Sequence, residues 1–390
     1  MTRPLEELSL GQLRDRTSAK WRAYPDDVLP VWVAEMDVPA VEAVVTAVAD
    51  ALRRGDTGYA WDGGYAEALA TVASERWGWA FDPARTRLVP DVMQGAVEVF
   101  RVLTVPGDAV VVNPPVYPPF FAFLGHADRR VVEVPLAADH RLDLVALEAA
   151  FARPEVTGYL LCSPHNPTGT VHTADELRAV AMLAEEHGVR VVADEIHALL
   201  VLPSRRPFVP WLSLSDAQRG VALHSASKAW NLAGLKAAVA VGGQAAADDL
   251  RRVPEEVGHG VSHLGVIAHT AALREGGGWL DAVRADLAAN QRRLVDLLTE
   301  HLPEVRYQPG DATYLAWLDC RLLELGDDPA AAFLARGRVA LTSGVGFGRG
   351  GAGHARFNLG TSSELLTEAV RRMAAAVGRS GPTAAQPPSS

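Results

Sequence analysis

The run His224-Ser225-Ala226-Ser227-Lys228-Ala229-Trp230-Asn231-Leu232-Ala233-Gly234-Leu235-Lys236 decides how this chain is read. Of 37 basic residues only three are lysines: Lys20, Lys228 and Lys236. Arginine serves wherever else a positive charge stands. A retained lysine suggests work that a guanidinium cannot do, above all losing a proton and attacking a carbonyl carbon. Small hydroxyls at Ser225 and Ser227 are of the kind that holds a phosphate. Taken alone, the run also reads as a surface lysine after a serine-rich turn. The rest of the chain has to decide.

At 390 residues the chain is long enough for one large domain and a smaller one. Apolar residues make up 48% and charged residues 22%, the balance of a globular enzyme rather than a disordered chain. The formal net charge of −10 argues against nucleic acid as a partner, since phosphate backbones require clustered positive charge. Cys162 and Cys320 are too few for a disulfide framework and too far apart for a metal-binding pair, so both are expected buried and reduced at strand ends. The N-terminal segment lacks the apolar core of a signal peptide, and no apolar run approaches the roughly 18 residues that span a bilayer. These features predict a soluble cytoplasmic protein.

Periodicity predicts helices over Val41–Arg54, Tyr65–Trp77, Gln94–Thr104, Ala174–His187, Trp279–His301 and Ser363–Val377. Thr173 with Glu176 three residues on marks one helix start. Short apolar runs alternate with them at Ala109–Val112, Arg130–Val134, Gly158–Cys162, Val189–Ala193, Val221–Ser225 and Ala237–Gly242. That alternation predicts a mainly parallel sheet covered on both faces. We expect an N-terminal arm (1–45), a large domain (46–280), a small C-terminal domain (281–377) and a disordered tail (378–390).

Four candidate sites follow four of these strands, where ligands collect in an α/β sheet. Asn113-Pro114-Pro115-Val116-Tyr117-Pro118-Pro119 is stiffened by prolines and presents Tyr117. Ser163-Pro164-His165-Asn166-Pro167-Thr168-Gly169 holds Asn166 before a proline. Ala193-Asp194-Glu195-Ile196-His197 places an acid at the end of a buried strand, where it needs a cationic or hydrogen-bonding partner. Lys228 is the fourth. Each has a plain alternative (a core tyrosine, a common turn, a helix cap), but the order Tyr, Asn, Asp, Lys, each after its own strand, is far more specific than any one member.

With those residues in view, residues 16–377 resemble the fold-type I enzymes of the class I/II aminotransferase superfamily, which use pyridoxal phosphate (PLP). The segments Leu29-Pro30-Val31-Trp32-Val33-Ala34-Glu35-Met36-Asp37, Pro115–Phe120, Ser225–Lys236 and Ala312–Asp319 are most similar to the MalY/PatB-type cystathionine β-lyases, or C–S lyases. The resemblance implies an α/β, three-layer PLP-transferase-like fold with a smaller α+β domain. It implies that Lys228 bonds the cofactor and later moves a proton, that Asp194 pairs with the ring nitrogen, that Asn166 meets the ring hydroxyl and that Tyr117 stacks on the ring. Ser225, Ser227 and backbone N–H groups around Met93 and Gln94 would hold the phosphate, with Tyr59 reaching it from the partner of a homodimer. His197 joins the cofactor set, and Arg356 would grip the substrate carboxylate beside Glu35. The chain departs from the family pattern in two places: Ala34-Glu35-Met36-Asp37-Val38 replaces Ala-Asp-Met-Asp-Phe, and Asp91 stands where glycine is usual.

The activity implied is α,β-elimination of L-cystathionine or another cysteine S-conjugate, giving a thiol, pyruvate and ammonia. An aminotransferase needs the same residues and remains an alternative, as does a PLP-binding regulatory protein. The glycine-rich stretch from Gly344 to Gly353 lacks the Lys-Ser/Thr of a nucleotide loop and leads into a strand pattern; it is expected to be a flexible loop over the substrate carboxylate. His259 and His263 are spaced for a metal, but no third ligand is evident. No metal is expected.

Overall fold

The computed structural model describes residues 2–379. Of the tail expected at 378–390, all but Gly378 and Arg379 lie outside the described residues. Strand β1 (Leu29–Pro30) precedes the main sheet of seven strands. These are β2 (Thr86–Val89), β3 (Ala109–Val112), β4 (Arg130–Glu133), β5 (Val156–Cys162), β6 (Arg190–Asp194), β7 (Val221–His224) and β8 (Ala238–Gly242). Their spatial order is β2-β8-β7-β6-β5-β3-β4, with β8 antiparallel to both neighbours and the other pairs parallel.

Alternate side chains of these strands enter two separate apolar clusters. Val111, Leu161, Val191, Ala193 and Val239 face one cluster, while Val112, Leu160, Val192, Leu223 and Ala240 face the other. Burial on both faces is why these segments read as unbroken apolar runs. The helix Val92–Leu103 covers one face. A Cβ at Gly95 would come within 2.8 Å of Val89 Cγ2 and 3.1 Å of Leu223 Cδ2, so glycine there lets the helix settle against the sheet. Its first turn is thereby held at the sheet's edge.

Beyond the long helix Gly277–His301 comes a second, antiparallel sheet of four strands. It is built from β9 (Arg306–Tyr307), β10 (Leu315–Asp319), β12 (Thr342–Ser343) and β13 (His354–Asn358), in the order β12-β13-β10-β9. The remaining strand, β11 (Val339–Ala340), pairs in parallel with β1, which ties the N-terminal segment to this part of the chain. The predicted helices and strands are present with ends shifted by a few residues, and Thr173 and Glu176 form the expected capping box. Cys162 ends β5, Cys320 follows β10, and both are buried free thiols. The helices Pro119–His126, Leu144–Phe151, His263–Glu275 and Pro329–Gly337 were not anticipated. Among the described residues no helix is long and apolar enough to cross a membrane.

The segment Trp32–Asp37 forms a wall beside the open edge of the main sheet, and side chains from distant elements fix it. Asn231 accepts from the Met36 N–H at 2.7 Å and donates to the Met36 carbonyl at 3.0 Å. Asn358 donates to the carbonyls of Val33 and Glu35. Beneath lies a buried ion pair, Lys20 Nζ to Asp37 Oδ2 at 2.8 Å, with the Trp21 indole donating to Asp37 Oδ1. Removing one partner strands a charge away from water. Lys20→Met should therefore lower unfolding stability by about 3–5 kcal/mol in a denaturant titration, and adding Asp37→Leu should restore most of it.

Candidate active site

Strands β3, β5, β6 and β7 run the same way, so the segments that follow them meet at one edge. The segment after β3 carries Tyr117, that after β5 carries Asn166, β6 ends on Asp194, and β7 leads through Ser225 and Ser227 to Lys228. The bonds Pro114–Pro115, Ser163–Pro164 and Asn166–Pro167 are cis. All six of these side chains line one cavity, together with Met93 and His197. Two further polar residues line it: Asp91, which caps the helix Val92–Leu103, and Lys236. Because β8 runs against its neighbours, its beginning lies where they end, and that brings Lys236 to the same place.

Burial dominates the electrostatics. It brings the Lys228 ammonium down to about 8, assisted by the nearby Arg356 charge and opposed by Glu35 and Asp194. The amine lies 3.3 Å from the Ala34 carbonyl. Asp194 is pushed up to about 7 by burial, against the Ile196 N–H, which donates to its Oδ1 at 3.1 Å, and the charge of Lys228. Oδ2 has no protein donor among the described residues. The carboxyl therefore gains if a cation enters the cavity. Burial also lowers His197 to about 3, so its ring is neutral, and its Nδ1 has no partner among the described residues. Tyr117 is raised by burial and stays a phenol at neutral pH.

Arg356, on β13, is a buried cation whose neighbours are neutral oxygens. It donates to Asn166 Oδ1 at 3.1 Å and to the Trp32 carbonyl and Thr342 hydroxyl at 3.3 Å each, while its Nε has no partner among the described residues. Burial lowers it to about 10, so it remains charged. A buried guanidinium without an acid is built to receive one from outside. The contact to Oδ1 also turns Asn166 so that its Nδ2 is left as a donor.

Ser225 Oγ lies 2.8 Å from the Ala237 carbonyl and 3.0 Å from Ser227 Oγ, so the two hydroxyls are held side by side. Lys236 reaches Asp91 Oδ2 at 2.8 Å on the same rim. An amine, an acid, an amide, a phenol, paired hydroxyls and an ammonium at a helix start form a donor set that fits PLP. Four residues singled out from the sequence are not among the cavity's lining: Arg356, which adjoins it through its bond to Asn166, and Gln94, Glu35 and Tyr59. Gln94 gives its N–H to Asp91 Oδ1 and turns its side chain to Glu98. Glu35 accepts from Ser18 at 2.7 Å, and Tyr59 is 85% exposed on a separate loop. Lys236 was missed as a site residue, although its signal was present: it is one of only three lysines.

The family model for aminotransferase class I and II matches residues 27–373. The chain belongs to that family. Among its relatives is a Mycobacterium leprae protein named "Putative cystathionine beta-lyase", 54% identical over 96% of this chain and 98% of that protein. The cystathionine beta-lyase PatB of Bacillus subtilis is 35% identical over 90% of this chain and 93% of its own. A solved structure of a "putative plp-dependent beta-cystathionase" from Corynebacterium diphtheriae superposes with a TM-score of 0.90 at 34% identity, covering 95% of this chain and 98% of that one. The fold is accordingly that of the fold-type I class, as the sequence predicted.

Treating cofactor-free protein with PLP and then borohydride should label Lys228. The labelling rate should climb with pH through a midpoint near 8, because the neutral amine becomes the majority form above it. Peptide mapping reads the position, and label on Lys20 or Lys236 in place of Lys228 would contradict the assignment.

Proposed function

We propose that this protein is a PLP-dependent carbon–sulfur β-lyase acting on L-cystathionine or related cysteine S-conjugates. The observation that carries the reading is one cavity holding a buried amine near 8 and a buried acid in want of a cation, with a buried guanidinium in want of an anion bonded to Asn166 in its wall. The relatives named as cystathionine β-lyases support the choice of reaction.

PLP, when bound, supplies an aldehyde carbon that bonds the substrate nitrogen and a ring that draws electrons from Cα. Lys228 would hold it covalently, Asp194 would keep a proton on its ring nitrogen, Asn166 would donate to its hydroxyl, and Tyr117 would cover one face. His197 lines the same wall with a neutral ring. Ser225, Ser227, the first-turn backbone near Met93 and the Lys236 ammonium would hold its phosphate.

Arg356 grips the substrate carboxylate in a two-pronged contact, which fixes the Cα–H bond relative to Lys228. Lys228, neutral once released, takes the Cα proton. The electron pair left behind expels a thiolate from Cβ, a far weaker base than an alkoxide. Water then converts the remaining fragment to pyruvate and ammonia. Glu35, held by Ser18 on the Trp32–Asp37 segment, would meet the distal part of a thioether substrate.

The same reading makes the protein a homodimer. Tyr59 and Trp61, 85% and 83% exposed on one loop, are large rings left in water by a single chain, and a second copy's cavity would cover Tyr59. It keeps the arm (1–45), the large domain (46–280) and the small domain (281–377). Two reduced, buried cysteines suit the cytoplasm.

With L-cystathionine and no 2-oxo acid, pyruvate and free thiol should appear in equal amounts. Lys228→Ala should lower the rate by on the order of 10³-fold or more. Turnover that starts only after a 2-oxo acid is added would identify an aminotransferase. Light scattering should return twice the chain mass, and Tyr59→Ala should weaken cofactor retention.

A further inference from the structure

The glycine-rich stretch Gly344–Gly353 is not the flexible loop its composition suggests. Phe347 within it is fully buried, and its ring lies under the Arg356 guanidinium, with Cζ 5.3 Å from the ring centroid. The Trp317 ring packs against Phe347 at 4.9 Å and stacks on His354 at 5.1 Å. The Phe347 carbonyl also accepts the Val116 N–H at 2.9 Å, and Val116 is the residue before Tyr117. Next to it, Gly348 takes a φ of +82°, and a Cβ there would meet Phe121 Cζ at 2.6 Å. The Arg349 N–H donates to Glu133 Oε2 at 2.8 Å, at the end of β4. The stretch is thus clamped from both sides.

We propose that Phe347 is a positioning residue that couples the Arg356 carboxylate clamp to the Tyr117 segment. The ring face supplies the guanidinium with a π partner where no acid is present among the described residues, and this holds the fork beside Asn166 without neutralising it. An acid at the same place would compete with the substrate carboxylate. The backbone of the same residue anchors the loop from which Tyr117 projects. Seating a carboxylate on Arg356 therefore stiffens the segment carrying the phenol. One residue serves two parts of the site that come from distant stretches of the chain.

The inference rests on Arg356 being the carboxylate site, and the test separates the two. In the holoenzyme, the inhibition constant of propionate and the KM for L-cystathionine are compared in Phe347→Leu, Phe347→Tyr and Arg356→Gln, with thermal midpoints alongside. Phe347→Leu should raise both constants about tenfold while kcat stays within about threefold, and Phe347→Tyr, which keeps the ring face, should return them to near the starting values. Hydrogen exchange of the peptide containing Val116 should slow when propionate binds the unaltered enzyme and should not slow in Phe347→Leu. If Arg356→Gln weakens propionate but Phe347→Leu does not, the coupling is wrong and the clamp stands. If Arg356→Gln leaves propionate binding unchanged, the clamp itself falls and the coupling with it. Loss of thermal stability in Phe347→Leu with unchanged propionate binding also overturns the proposal, since that is what a purely structural ring would give.

Discussion

Keeping the Lys228 amine out of water is the constraint on which the rest of the structure depends. Desolvation alone would drive the ammonium toward its neutral form, and a second buried cation, Arg356, pushes the same way. Two carboxylates oppose them, Asp194 from the end of β6 and Glu35 from the wall. The balance leaves the amine near 8, close to the pH at which a base is both available and strong. Each of the four charges comes from a different part of the fold, so the value is a property of the assembled site rather than of any segment.

The bias toward arginine gives the three lysines their meaning. Lys228 lies in the cavity, Lys236 stands on its rim, and Lys20 lies behind the wall that contributes the Ala34 carbonyl. Lys20 shows how far the supporting shell extends. Its charge touches no cavity residue directly, but it pins Asp37 and the Glu35 carbonyl, and that segment carries the Trp32 and Ala34 carbonyls to Arg356 and Lys228. Tyr314 adds a hydroxyl to the Ala34 carbonyl at 3.0 Å, so the acceptor facing Lys228 is held from two sides.

Much of this was legible in the sequence because parallel strands repeat one grammar: an apolar run, then a functional loop. Tyr117, Asn166, Asp194 and Lys228 each follow that rule. Lys236 escaped it because it precedes its strand, and an apolar run such as Ala238–Gly242 reads the same in either direction. The helix His263–Glu275 escaped for another reason. It buries Val266, Ala268, His269, Thr270 and Ala272 on most sides, which erases the one-faced periodicity that marks a helix. Phe347 was hidden by its glycines, whose rigidity comes from the proline segment at 114–119, more than two hundred residues away. Composition describes a loop's freedom only until something distant packs on it.

The parallel pairing of β1 with β11 has a consequence for how the protein is made. Thr342 and Trp32, which meet beside that pair, are separated by 310 residues, so the wall of the cavity stays unfastened until Thr342 has left the ribosome. Contacts of such long range close late, because the entropy of bringing the ends together precedes any gain from packing. During synthesis the leading arm remains a loose thread, and a nascent chain that already bears Tyr117, Asn166, Asp194 and Lys228 still lacks Arg356 and the strands that stitch that thread down.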